Sequence, residues 1–512
     1  MRVIDRLNYA PKELSFGTSG LRGLVSDMTD LECYINVAGF LDFLSVQKYL
    51  KTGDTVSVAG DLRDSTPRII AAVVAAIQQA GCTAQFCGFI PTPALALWAI
   101  DNTQASIMVT GSHIPSDRNG IKFYTPSGEI LKSDEASIKE SVSLQREKIY
   151  SSTQQLFTIE GALVDTPKLP EEKAEPTTKY LDRYKELFPK TAFEGKHVIV
   201  YQHSAVGRDL LVTIFESLGA AVTAVDRSDV FLPIDTENVT PEDQRHFKKL
   251  AKDHPDAFAI VSTDGDSDRP FVVDEAGAFY RGDIVGAVVA RALGADFAAI
   301  PVSSSDAVDT YLKQSGIPVE HTKIGSPYVI DAMNNAKESY TSRVGWEVNG
   351  GFLTDSNLTY NTNRLTPLAT RDAFLPILIT LHQAAVQSIP VSELMAKLPQ
   401  RATQAGLIDN FEQSSSKQIV DMLKKKDSKA FALIAECFTT EDGFGKVSDI
   451  NTVDGVRIFF DNSNIAHIRP SGNAPQLRIY SVADTQQRAD EIVEMGIAEN
   501  GILRSLEKKV KS

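Results

Sequence analysis

TVSVAGDLRDSTPRIIAAVVAAIQQAGCTAQF, residues 55–86, reads as a strand, a helix, a glycine stop and a second strand. Thr55–Ala59 alternates toward a strand. Thr66 has the side chain of a helix cap, and Pro67 suits the first helical position, where an amide donor is dispensable. Ile69, Ile70, Val73, Val74 and Ile77 then follow helical spacing. Gly81 ends the helix, and Ala84–Phe86 begins the next strand.

The unit recurs twice. The second copy runs from His197–Tyr201 through a helix near Asp209–Leu218 to Gly219 and Ala221–Val225. The third runs from Phe297–Val302 through Ala307–Gln314 to Gly316 and Val319–His321. Strands alternating with helices imply parallel sheets covered by helices. The chain is therefore read as α/β: three similar α/β domains with mixed or parallel sheets, over 1–155, 179–276 and 277–387. A polar stretch with Pro167, Pro170 and Pro176, around Tyr150–Thr178, reads as a linker. Residues 390–512 read differently. A helical stretch around Val391–Leu398 precedes a polar, lysine-containing segment. Short strands at Val456–Phe460, Ile465–Ile468 and Leu477–Ser481 and a helical tail over Thr485–Val510 follow. This is a smaller C-terminal α+β domain.

Composition narrows the function classes. The 512 residues carry a formal net charge of −14, which argues against a nucleic-acid or acidic-membrane binder. A few local Arg and Lys residues can still hold a small anion. Cys33, Cys82, Cys87 and Cys437 form no CxxC pair and no zinc-like spacing, so buried free thiols in a reducing, cytoplasmic setting are expected. MRVIDRLNYAPKELSF has no apolar signal core. The purest apolar run, Ile69–Ile77, is far short of the ~20 residues of a membrane helix.

Chemistry concentrates in a few turns. TDGDSDRP places Asp264, Asp266 and Asp268 at alternate positions after the apolar Phe258–Val261. A divalent cation would relieve their repulsion, and hard oxygen ligands suit magnesium or calcium. A calcium EF-hand matches this spacing, with Glu275 at the twelfth position. Its glycine position holds Arg269, however, and the flanks read as strands. In VTGSHIPSDRNGIKFY, Gly111 lets the chain turn and Ser112 would sit exposed at a strand end, near His113, Arg118 and Lys122. A serine in a loop is more often a turn or cap residue, and no GxSxG elbow supports hydrolase chemistry. FGTSGLRG, with Arg22, can hold phosphate by backbone amides and a charged fork. RPSGNAPQLRI, with Arg469, Ser471, Gly472 and Asn473, has the same character. GWEVNGGF sets Glu347 and Asn349 two apart, where both can face a sugar. Each motif alone is also an ordinary surface turn.

In combination and in this order, from Phe16 to Ile479, the motifs resemble those of the α-D-phosphohexomutase family. TGSHIP is similar to its phosphoserine loop, DGDSDR to its metal loop, GWEVNGG to its sugar loop and RPSGNAP to its phosphate loop. The resemblance implies four domains around a central cleft, each giving one loop. It implies a phosphohexomutase that interconverts hexose 6-phosphate and hexose 1-phosphate, of mannose and/or glucose. The route would run through a phosphoserine at Ser112 and a hexose 1,6-bisphosphate intermediate, which also serves as activator. One magnesium ion would sit on Asp264, Asp266, Asp268 and a phosphoserine oxygen of Ser112. Arg22 and Lys122 would flank the phosphoserine, with Lys122 a proton donor or acceptor. Arg269, Lys323, Gly325, Glu347 and Asn349 would bind substrate, and Arg469, Ser471, Gly472 and Asn473 its non-reacting phosphate. Partners would be small-molecule hexose phosphates, with no nucleic acid or membrane, and the assembly a monomer or homodimer.

Two loops depart from the family pattern. Sugar loops of the E-x-S-G-H kind end in histidine, a general base, whereas Gly351 stands here and Asn349 replaces serine. The base is then water, Lys122 or a histidine from elsewhere. Ile114 stands where asparagine is common. Phosphoglucosamine mutase, a phosphosugar phosphatase and a non-catalytic sugar-phosphate sensor are the alternatives.

Overall fold

The first unit of the fold, residues 1–299 and 325–395, is organised by mixed sheets; the second comprises 300–324 and 396–512. The structure is a computed structural model that describes all residues except 18, 19, 238, 472–474 and 512.

In the first unit, the residues quoted above form the strands Thr55–Gly60 and Thr83–Phe89 and the intervening helix Thr66–Gln79. Its spaced Ile69, Ile70, Val73, Val74 and Ile77 are all fully buried. The helix starts one residue earlier than a Thr66 cap requires. The Thr66 hydroxyl donates instead to Asp61 Oδ1 (2.7 Å), and Ser65 takes the preceding position. The two strands and Ala105–Val109 run parallel, and Arg118–Thr125 and Gly20–Leu24 add on antiparallel. Register sets Gly20 opposite Lys122 and Arg22 opposite Gly120, so Arg22 and Lys122 share one face.

A second sheet runs Phe279–Tyr280, Pro270–Asp274, Ala257–Thr263, His197–His203 and Ala221–Arg227, its last three strands parallel. Thr263 pairs with Pro270, so the acidic turn is the tip of an antiparallel hairpin. The EF-hand reading fails here, because both flanks are strands. In a third sheet, Phe297–Pro301 runs parallel to Arg343–Trp346, and Phe352–Thr354 and Leu368–Asp372 add antiparallel. Helix Glu175–Leu187 is pinned by Tyr180 and Tyr184, whose hydroxyls both donate to the buried Asp372. The proline-bearing stretch before it forms only an isolated bridge, Phe157 to Leu163.

The second unit carries an antiparallel sheet in the order Ala402–Ile408, Leu477–Ala483, Ile465–Pro470, Val456–Phe460 and Val447–Asn451. Two features add to the sequence reading. The polar segment contains the strand Ala402–Ile408 and the helix Gln413–Leu423, which buries Ile419, Val420 and Leu423 on one face. The helical tail is two helices, Gln486–Ile497 and Ile502–Lys511, because the chain turns at Gly501, whose amide donates to Ala498 O.

The four cysteines are buried and free. Among the described residues no helix is long and apolar enough to cross a membrane.

His467 offers a test of packing in the second unit. Its Nε2 faces Asp454 O at 2.6 Å, and burial, with Arg457 nearby, lowers the imidazole to about 4. The unfolded chain then binds a proton that the folded chain refuses between about 6.5 and 4, so stability falls as pH drops through that window. At about 1.4 kcal/mol per pH unit the loss is about 3 kcal/mol. Replacing His467 by Gln should flatten this part of the stability–pH curve, measured by urea unfolding. An unchanged slope would show that His467 is not held neutral.

Candidate active site

Ser112 follows the strand Ala105–Val109 by three residues and has φ 56°, a left-handed backbone uncommon for serine. Such a conformation costs about 1–2 kcal/mol and persists only where surroundings impose it. Arg63 imposes it. This buried guanidinium donates to the carbonyls of Ser112 (2.9 Å), Ile114 (2.6 Å), Pro115 (2.8 Å) and Arg118 (2.8 Å). Its Nε reaches Asp61 Oδ2 at 3.2 Å, and Phe231 covers it with its ring centroid 3.8 Å away. Asp61 accepts in turn from Thr66 and Thr110, and the Thr110 hydroxyl accepts from the Ser112 amide.

The serine is not exposed, as its place at a strand end suggested, but only 1% accessible. The acidic hairpin tip covers it. Its Oγ donates to Asp264 Oδ2 at 2.6 Å, and Gly265 allows the approach, since a Cβ there would lie 2.7 Å from Ser112 O. Asp264 Oδ1 accepts from the amides of Asp268 and Arg269, both at 3.1 Å.

Asp264, Asp266 and Asp268 are fully buried, and one oxygen from each lies within 4.8 Å of the others. Cations surround them. Lys122 Nζ contacts Asp266 Oδ2 (2.6 Å) and Asp268 Oδ2 (2.5 Å), and Arg371 Nε contacts Asp268 Oδ2 (3.1 Å). Arg269 Nε lies 3.8 Å from Asp264 and 3.7 Å from Asp268. The Thr92 hydroxyl donates to Asp266 Oδ2. Burial alone would raise the Asp268 carboxyl, but Arg371, Lys122 and Arg269 hold it well below the usual range. Burial and the neighbouring Asp266 and Asp268 push Asp264 well above it. Burial opposes the Lys122 charge, yet Asp266 and Asp268 outweigh it and raise the ammonium above its ordinary value. His113 Nδ1 lies 3.4 Å from Ser112 Oγ, and Arg269, burial and Arg22 keep its ring neutral.

This set fits a metal ion. Asp266 Oδ1 and Asp268 Oδ1 are buried without a hydrogen-bond partner among the described residues. An all-carboxylate donor set of this kind suits a hard divalent cation.

Glu347 and Asn349 join the same region of the first unit. Arg371 Nη1 bridges to Glu347 Oε2 at 3.0 Å, and Asn349 Nδ2 donates to Glu237 Oε1 at 3.2 Å. Arg371 also accounts for Gly351. A Cβ at that position would lie 2.7–2.8 Å from Cβ, Cγ and Cδ of Arg371, so the space of a histidine side chain is taken by arginine. Gly325, φ 130°, precedes the helix Ser326–Asn335.

Lys323 and Arg469 belong to the second unit. There Asp454 Oδ2 accepts both from the Ile324 amide (3.1 Å) and from Arg469 Nε (2.9 Å), which ties the Lys323 turn to the arginine. The Ser471 amide donates to Gln476 O at 2.9 Å. Gly472 and Asn473 lie outside the described residues, as do Thr18 and Ser19.

Sequence reasoning missed Arg63, Thr92, Glu237 and Arg371. Arg63 had a signal in DLRDSTP, charged residues directly after an apolar strand; so did Arg371 in LATRDAF.

Family models described as phosphoglucomutase/phosphomannomutase α/β/α domains I, II and III match residues 13–148, 178–277 and 281–402, and the C-terminal domain model matches 412–498. A phosphomannomutase of Salmonella muenchen is 42% identical over 487 residues, covering 94% of each chain. One from Sinorhizobium fredii is 39% identical over 485 residues, covering 94% of this chain and 98% of the relative. A crystal structure of a phosphoglucomutase/phosphomannomutase family protein from Burkholderia thailandensis shares the fold. Its TM-score is 0.73 at 18% identity, over 98% of both chains.

The Arg63 clamp is testable by itself. Arg63→Ala strands the buried Asp61 charge and four carbonyls, and should cost about 3–5 kcal/mol in urea unfolding. A loss under about 1 kcal/mol, the scale of a surface ion pair, would show that other contacts hold the Ser112 turn.

Proposed function

The chain belongs to the phosphoglucomutase/phosphomannomutase family, and from that premise we propose that it interconverts hexose 6-phosphates and hexose 1-phosphates, mannose and glucose before glucosamine, through a phosphoserine at Ser112. The observation that carries this reading is the 2.6 Å hydrogen bond from Ser112 Oγ to Asp264, within three carboxylates that fit a cation.

Ser112 Oγ would be the leaving oxygen in the first transfer and the attacking oxygen in the second. In the first, the serine O–P bond breaks as a hexose hydroxyl oxygen bonds phosphorus, and the proton that the hydroxyl loses is balanced by the one that Ser112 Oγ gains. The hexose 1,6-bisphosphate then turns over and returns its other phosphoryl group to Ser112. Asp264, Asp266 and Asp268, with a phosphoserine oxygen, would hold one magnesium ion, which when bound neutralises charge on the transferring group. Lys122, raised above its ordinary value, enters as an ammonium, a proton donor rather than a base. Arg22, on the same sheet face as Lys122, adds positive charge. Glu347 and Asn349 read sugar hydroxyls, and Arg269 and Gly325 complete the substrate contacts of the first unit. Of the second unit, Lys323 is a further substrate contact, and Arg469, Ser471, Gly472 and Asn473 take the phosphate that is not reacting. The burial of Ser112 supports protection of its phosphoryl group from water.

Mannose 1-phosphate, glucose 1-phosphate and glucosamine 1-phosphate, assayed side by side with magnesium and the matching bisphosphate, test the reading. The first two should turn over faster. Ser112→Ala should lower turnover at least about a thousandfold, about 4 kcal/mol of transition-state stabilisation. Asp266→Asn at fixed magnesium should lose more than the roughly 10–100-fold that an outer-shell partner costs. Wild-type turnover in Ser112→Ala, or phosphate release outpacing isomer formation, would overturn it.

A further inference from the structure

The loop between the strand Ala221–Arg227 and the helix Pro241–Asp253 leaves its own sheet and reaches the turn that carries Asn349. It is fixed at several points. The Leu232 amide donates to Ser204 Oγ (2.7 Å), the Phe231 ring lies on Arg63, and the buried Thr236 hydroxyl donates to Asn349 O (3.1 Å). The Asp235 carboxylate accepts from the Glu237 amide at 2.9 Å. Glu237 is therefore held at its backbone while its side chain stays 44% exposed.

Two neighbours give that carboxylate a chemical context. Its Oε1 accepts from Asn349 Nδ2 (3.2 Å) and lies 3.7 Å from Arg269 Nη1. Arg269 is 6% exposed, and its Nε and Nη1 have no hydrogen-bond partner among the described residues. Both nitrogens meet carboxylates only at 3.7–3.8 Å, as ion pairs without a hydrogen bond; buried polar groups are normally hydrogen-bonded, so the two donors leave room for a ligand. An ionised carboxylate only accepts hydrogen bonds. Beside it a phosphate would be repelled, whereas neutral hydroxyls would be welcomed.

We propose that Glu237 is a sugar-binding, specificity-determining residue: it accepts a hydrogen bond from a hexose hydroxyl beside Asn349 and so selects which hexose phosphate the site takes. This rests on the phosphohexomutase reading above. The residue is supplied by the second sheet's loop rather than by the motif that carries Glu347 and Asn349. Its side-chain contacts are with Asn349 and Arg269, so its part is assigned to binding rather than transfer.

Steady-state kinetics of Glu237→Ala and Glu237→Gln test this, with phosphoserine formation followed by intact-protein mass. A hydrogen bond to a charged group corresponds to a KM increase of about 10–150-fold in Glu237→Ala. Expected with it are kcat within about threefold of wild type, a partial return of KM in Glu237→Gln, and unchanged phosphate adduct. With 2-, 3- and 4-deoxyhexose 1-phosphates, the wild type should lose affinity for one of the three. Glu237→Ala should lose nothing further with that analogue. An unchanged KM in both variants, or an equal further loss in Glu237→Ala with every deoxy analogue, would overturn the inference while the mutase reading stands. No turnover of any hexose phosphate by the wild type would overturn both.

Discussion

Three carboxylates buried within 4.8 Å of one another cannot stay ionised without compensation. The first unit solves this with cations from separate sheets: Lys122 from the first, Arg269 from the second and Arg371 from the third. The ends of the three sheets meet at this cluster, each supplying one of these cations. The two carboxylate oxygens without a hydrogen-bond partner among the described residues, on Asp266 and Asp268, are free to face a metal ion.

Ser112 depends on the same arrangement from the other side. Its left-handed backbone is unfavourable alone and is held by Arg63, which has its own buried counter-charge in Asp61. Phe231, from the loop that also presents Glu237, closes over that guanidinium. The Ser112 turn, the acidic tip and the turn of Glu347 and Asn349 are thus parts of one connected network, so a change at Arg371 reaches Ser112 without touching it.

Much of this was legible in residues 55–86 and their repeats. Helical spacing at Ile69–Ile77 and the glycine stop at Gly81 are local properties, and local properties survive folding. Alternate aspartates after an apolar strand likewise announced a hairpin tip. Contacts between distant residues were not legible. Nothing in GSHIP says that the Asp264 turn, 152 positions later, will bury the serine. Nothing in NGGF says that Gly351 makes room for Arg371, although the missing histidine pointed to something unusual there. The helical tail over Thr485–Val510 is built as two helices, and Asn500-Gly501 is the local signal of the break.

In the proposed function the Ser112 hydroxyl, pressed against Asp264, carries the phosphoryl group between the two sugar positions. Phosphopeptide mapping of the protein after incubation with a hexose 1,6-bisphosphate and magnesium addresses it most directly. A single phosphate on the peptide containing Ser112, lost on adding excess hexose 6-phosphate, is the predicted result. Phosphate on another residue, or an unmodified Ser112 under conditions that support turnover, would contradict it.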